Sequence, residues 1–160
     1  MRLTSFSDYG LRVLMLLGLR GGALVTIREM ARSYAVSENH LLKVVQTLAK
    51  LGYVEPVRGR SGGIRLTAKP GEIRLGEVVR QLESDFALVD CMDEQRRAAC
   101  VISSACRLQK PLARAMEAFL DVLDEYTLAD LLYHPQRLKS LLAVEKTPEV
   151  RVRGSVRERG

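Results

Sequence analysis

Residues 26–51 read TIREMARSYAVSENHLLKVVQTLAKL, and the spacing in this string decides the fold. Thr26 followed three residues later by Glu29 is a capping box: hydroxyl and carboxylate each satisfy an amide that the first helical turn leaves open. A helix therefore starts at Thr26 and runs through Ile27, Met30 and Ala31 to about Tyr34. Ala35, Val36 and Ser37 turn the chain, and Ser37 caps a third helix over residues 38–51. Leu41, Val45 and Leu48 line one stripe of that helix at spacings of four and three. Asn39, Lys43, Gln46 and Lys50 line another. Helix, three-residue turn, helix is the helix-turn-helix arrangement, whose second helix enters a major groove.

The flanks extend this reading. Residues 4–20 form a first helix that stops at Gly21 and Gly22. Its run Val13 to Leu19 has seven apolar residues between Arg12 and Arg20, far short of the ~18 that a membrane span needs. No small-residue cleavage site follows it, so it is read as a buried helix of a cytoplasmic protein. Beyond Gly52, residues 53–57 and 64–66 are strands, and Pro56 suits an edge position. The tip between them, RGRSGG at 58–63, carries two arginines and no acid. A basic hairpin directly after a helix-turn-helix is a wing.

Charge agrees with this division. Residues 1–70 carry eleven Lys/Arg against four Asp/Glu, residues 71–142 nine against twelve, and residues 143–160 five against three. The net charge of +6 is therefore concentrated in the first segment, as a polyanion-binding module requires. Asn39, His40 and Lys43 are expected at base edges, with Gln46 deeper in the groove. Arg58 and Arg60 are expected on phosphates or in a minor groove, and Arg28, Lys50, Ser61 and Gly62 complete the candidate DNA-binding surface.

The second half reads as sensor and partner surface. Leu75, Val78, Val79 and Leu82 mark a fourth helix. A long helix begins near Lys110, with Pro111 in its first turn, where a missing amide costs nothing. Leu108, Leu112, Ala115, Phe119, Val122 and Tyr126 form a heptad-like seam along it, as a homodimer interface needs. Met116, Leu120 and Leu123 widen the apolar face beyond one seam, so this helix is expected to pack both on its own subunit and on a partner. Two short helices from Thr127 and Pro135 follow, and from about Glu145 the composition predicts a loose tail. The expected architecture is mostly α with a β-hairpin wing. It comprises a winged helix-turn-helix at 1–70, a cysteine loop and dimerisation helices at 71–143, and a flexible tail at 144–160.

Cys91, Cys100 and Cys106 all fall in the non-periodic stretch 85–106. There is no Cys-x-x-Cys pair for zinc. Three thiols without a secretory signal also argue against a disulfide framework. Spacing alone leaves three readings: free structural thiols, a thiol redox switch, or thiolates wrapping an iron–sulfur centre. Arg96, Arg97 and Arg107 are placed to favour thiolates. An electron-transfer enzyme fits poorly, because the set of four cysteines is incomplete and no Gly-x-Gly-x-x-Gly fingerprint is present.

Six stretches carry a resemblance: MRLTSFSDYGLR at 1–12, VSENHLLKVV at 36–45, GYV at 52–54, VRGRSGGIRL at 57–66, CVISSACRL at 100–108 and YTLADL at 126–131. In that order the chain closely resembles the NsrR family of nitric-oxide-sensing bacterial repressors, relatives of the cluster-biogenesis regulator IscR. The resemblance implies a dimeric winged-helix repressor of double-stranded DNA operators, with one iron–sulfur cluster (2Fe-2S or 4Fe-4S) per subunit. Nitric oxide would release it from DNA and switch on detoxification genes. The alternative is a thiol- or redox-responsive regulator of the same family, and neither reading is an enzyme. Cys91, Cys100 and Cys106 match the family's cluster cysteines. IscR-like members have a histidine three residues after the last cysteine, where this chain has Gln109. Asp8 matches the aspartate that some NsrR-like proteins supply across the dimer as fourth ligand. The interval from Cys91 to Cys100 is a few residues longer than the family pattern.

Overall fold

A computed structural model describes residues 2–93, 95–96 and 100–142. Arg97 and the tail assigned to 144–160 lie outside these residues.

Helix α1 (Ser5–Leu19) starts where the Thr4 hydroxyl accepts the Ser7 amide and ends before Gly21 and Gly22, both at positive φ. Val13, Leu14, Leu16 and Leu17 are almost fully buried, so the Val13 to Leu19 run is a core helix. Helix α2 (Ile27–Tyr34) carries the expected capping box: the Glu29 amide donates to Thr26 Oγ1 at 3.2 Å, and the Thr26 amide to Glu29 Oε2 at 2.7 Å. Ala35 sits in the left-handed region at φ 52° and swings the chain into helix α3 (Glu38–Lys50). Ser37 caps α3 by accepting the His40 amide. Leu41, Val44, Val45 and Leu48 are buried on its inner face.

The wing is an antiparallel pair, β1 (Val54–Val57) and β2 (Gly63–Leu66), with Val54 opposite Leu66 and Val57 opposite Gly63. Val25 adds a single bridge to its edge: its amide and carbonyl both pair with Ile64, at 3.0 and 2.9 Å. The sequence carries no local signal for that bridge.

Helix α4 (Leu75–Leu82), helix α5 (Gln109–Asp124), helix α6 (Leu128–Leu131) and helix α7 (Pro135–Leu141) complete the order. Ile73, Val78, Leu82 and Leu128 join the same core cluster as α1, α2 and α3, so one core draws on residues from both sides of position 70. Gly10 permits this closeness, since a Cβ there would stand 2.4 Å from Leu82 Cδ1. Helix α5 docks on α4 through a bidentate pair: Arg80 donates to both Asp124 oxygens at 2.7 Å. Arg74 donates to the Asp124 carbonyl, and the Leu75 amide to the Tyr126 carbonyl.

Along the expected seam of α5, Leu112 and Phe119 are half-buried while Leu108, Ala115, Val122 and Tyr126 stay exposed. Met116 turns fully inward, with Leu120 and Leu123 partly covered beside it. The apolar stripe is wide enough to pack on its own subunit and leave a second face open.

Candidate nucleic-acid interface and cysteine loop

Asn39, His40, Lys43, Gln46 and Lys50 are all exposed on α3, opposite its buried stripe. Arg28, at the start of α2, stands beside this face with its Nε 3.6 Å from Glu38. On the wing Arg58, Arg60 and Ser61 are exposed. Gly62 is there for shape: a Cβ at that position would lie 2.4 Å from the Val57 carbonyl oxygen, which is backbone and cannot move aside. The helix and wing thus present cations and amide groups on one segment, with Arg65 of the hairpin held by Glu55. His40 is less free than the other stripe residues. Its ring stacks on Tyr9 of α1, with centroids 6.5 Å apart, at the edge of a cleft of about 250 Å³ that Lys43 also lines.

Two features of this surface were not read from sequence. Leu42 stands exposed within the polar stripe, three residues after Asn39 and four before Gln46. Its spacing signals that position, though an apolar residue is ordinarily assigned inward. Tyr34 is the other. Its hydroxyl donates to the Arg12 carbonyl at 2.8 Å and the Arg12 guanidinium lies 5.9 Å from its ring centroid, a contact between helices that sequence spacing does not reveal. Burial pushes the Tyr34 phenol up to about 12, with the Arg12 charge opposing and Asp8 adding to the rise.

The cysteines occupy the loop between α4 and α5. Cys91 lies in a single 3-10 turn, Asp90–Met92, and Cys106 lies three residues before α5. All three are partly exposed and free of disulfides. Among the described residues no three ligating side chains converge on one point, so the loop carries the thiols without gathering them. Their chemistry nonetheless suits iron: soft donors on a loop outside the long helices, with Cys106 Sγ accepting the Leu108 amide at 3.4 Å. Amide donors of this kind stabilise metal-bound thiolate. Arg96, expected to favour thiolates, is engaged by Asp90 and Asp93, both at 3.4 Å.

Asp8 lies in the first turn of α1 and is held by Arg12, with contacts of 3.0 and 2.8 Å to its two oxygens. The start of α1 is also tied to the end of α4, because the Thr4 amide and hydroxyl both donate to Glu83 Oε1, at 2.7 and 3.1 Å.

A helix-turn-helix followed by a basic wing, joined to a long helix with an open apolar face, defines a winged-helix transcription regulator. The chain belongs to the Rrf2 family of iron-dependent transcriptional regulators, whose profile matches residues 3–134. It is similar to the HTH-type transcriptional regulator NsrR of Bacillus subtilis, 47% identical over 147 residues that cover 91% of this chain and all of that one. Among solved structures it resembles a transcriptional regulator from Listeria innocua, at TM-score 0.67 and 32% identity over 84% of this chain and 88% of that one. It also resembles CymR, the global cysteine regulator of B. subtilis, at TM-score 0.64 and 26% identity over 82% and 95%. The chain is therefore a DNA-binding repressor and not an enzyme. No helix among the described residues is long and apolar enough to cross a membrane.

Proposed function

We propose that this repressor works as a cytoplasmic homodimer that senses nitric oxide through an iron–sulfur cluster and derepresses nitric-oxide detoxification genes. The observation that carries the reading is the pairing of an NsrR likeness over nine-tenths of the chain with three free thiols on one loop beside α5. Cys91, Cys100 and Cys106 hold the cluster, 2Fe-2S or 4Fe-4S, and Asp8 of the partner subunit supplies the fourth ligand. When bound, the cluster offers iron at which nitric oxide can combine. Asp8 must leave Arg12, or share itself with it, to act as that ligand. Arg12 in turn lies against Tyr34 at the end of α2, so a change at Asp8 is felt in the helix-turn-helix. The Glu83 tie gives α1 a second link, to the helix from which the cysteine loop departs.

On DNA, Asn39, His40, Lys43 and Gln46 meet base edges, while Arg28, Lys50, Arg58, Arg60 and Ser61 meet the backbone, over a wing whose turn needs Gly62. A second reading, a thiol redox regulator on the same DNA module, is favoured by the three half-exposed free thiols and by the likeness to a cysteine regulator.

One experiment separates the two. Protein purified without oxygen is assayed for iron and acid-labile sulfide, and its absorption spectrum is recorded before and after nitric oxide. A coloured protein that bleaches and loses operator affinity supports the cluster reading. A colourless, iron-free protein whose affinity changes only with thiol oxidation would replace it with the second.

A further inference from the structure

Position and burial disagree at Leu42. Asn39, Leu42, Lys43, Gln46 and Lys50 are related by steps of three and four, so they share one helix face. That face is the polar one, and Leu42 is 42% exposed on it. Behind Leu42 a cleft of about 500 Å³ opens between α3 and the wing. Ile27, Pro56 and Val57 help wall it, Gln46 and Lys50 stand on its margin, and its surface is almost wholly apolar. Val57 on the facing strand is itself 36% exposed. Water in such a cleft finds few hydrogen-bond partners, so covering it is favourable.

The occupant must suit both the apolar wall and its cationic margin. The neighbouring Lys43, Lys50, Arg58 and Arg60 are all exposed, in a segment with eleven Lys/Arg against four Asp/Glu. They select a polyanion. Within a DNA major groove one group is apolar, the C5-methyl of thymine, and aliphatic side chains read it by contact.

We propose that Leu42 is a specificity-determining residue that packs against a thymine methyl group of the operator, at the mouth of the apolar cleft between α3 and the wing. The inference rests on α3 being the reading helix. Cytosine offers no methyl there and presents an amino donor that Leu42 cannot pair, so both pyrimidines are distinguished without a hydrogen bond. Gln46 and Lys43 on either side supply the polar readout. Leu42 adds a contact that depends on one carbon atom.

The test removes that carbon. Full-length protein, purified without oxygen, selects its preferred duplexes from a randomised pool, and each thymine of a selected duplex is then replaced by deoxyuridine. One thymine position should lose about fourfold in affinity, which at 1.4 kcal/mol per tenfold is the ~0.8 kcal/mol of a buried methyl-sized group. Leu42→Ala should bind the thymine and deoxyuridine duplexes equally, and a selection with it should lose the thymine preference at that position alone. Its thermal melting should match the parent, since the side chain lies outside the core. An uridine scan that is flat in the parent, or a penalty unchanged in Leu42→Ala, overturns the proposal. Lys43→Ala, run in parallel, separates the two levels. If it relaxes base preference while Leu42→Ala does not, only the leucine contact falls; if neither does, the assignment of α3 falls with it.

Discussion

The Tyr34 phenol, pushed up to about 12 by burial, ties a stability prediction to one contact. Unfolded, the phenol ionises near 10, so between 10 and 12 the native state holds a proton that the unfolded chain has lost. Its contribution is present in full below pH 10 and disappears as pH rises through 12. Tyr34→Phe should flatten that alkaline decline, seen as a smaller gap between denaturation midpoints at pH 9 and pH 11. Tyr53 moves in the same direction, which is why the difference from the parent is the quantity to measure. At Gly10 the effect is steric. Gly10→Ala would press on the buried Leu82 and should cost about 1–3 kcal/mol, read as a lower melting temperature. The cysteines were legible as a set because all three fall within sixteen residues, but the engagement of Asp8 by Arg12 emerged only with the structure. Each of Cys91→Ala, Cys100→Ala and Cys106→Ala should abolish iron binding. If Asp8 is the weak oxygen ligand proposed above, Asp8→Ala should keep a cluster with an altered spectrum and a changed rate of reaction with nitric oxide. An Asp8→Ala protein identical to the parent in iron, spectrum and rate would take Asp8 out of the site.

Elements were legible where their signals are local. The α2 capping box, the Ser37 cap and the glycines after α1 and α3 each act within a few residues, and each was readable as written. Thr26→Ala should lower stability by about 1 kcal/mol in urea unfolding, because the hydroxyl that accepts the Glu29 amide and donates to its carboxylate is lost while the Thr26 amide remains. The bridge from Val25 to Ile64 joins positions far apart in the chain and had no such signal. It ties β2, close to the tip end of the hairpin, to the residue before the Thr26 cap of α2. The wing and α3 should separate in their effects on DNA. Arg60→Ala is expected to weaken binding to all sequences and lower the salt slope by about one. Lys43→Ala or Asn39→Ala should instead relax base preference by roughly 1–3 kcal/mol per lost contact. A change in base preference on removing Arg60, at constant salt slope, would contradict the backbone role given to the wing.

At the scale of the molecule, α5 has two faces, and among the described residues one of them has no partner. Met116 is buried against the protein's own core, whereas Leu108, Val122 and Tyr126 are 54%, 52% and 46% exposed. A second copy packed on that face would place two reading helices on one operator. Val122→Asp should therefore yield a monomer in sedimentation while helical circular dichroism is retained, with operator affinity falling steeply. The Arg80–Asp124 pair and the Arg74 bond to the Asp124 carbonyl join this helix to α4, and α4 packs on α1, so the open face of α5 is mechanically continuous with the DNA-binding core. Gly76 belongs to that junction, because a Cβ there would collide with the Asp124 carboxylate.

The sequence by itself determined what depends on periodicity and short-range chemistry. It specified the helix-turn-helix and its caps, the basic wing, the polar stripe of α3 and the clustering of thiols on one loop. Tertiary structure decided what depends on pairs distant in sequence: Asp8 and Arg12 braced on Tyr34, His40 stacked on Tyr9, and the division of the α5 stripe between an inner and an open face. The placement of Leu42 shows the boundary between the two. Spacing assigns it a helix face, but only the packing of α2, α3 and the hairpin determines that an apolar cleft lies behind it. Helical and turn preferences act over a few residues, while contacts between elements are settled by how the whole core closes.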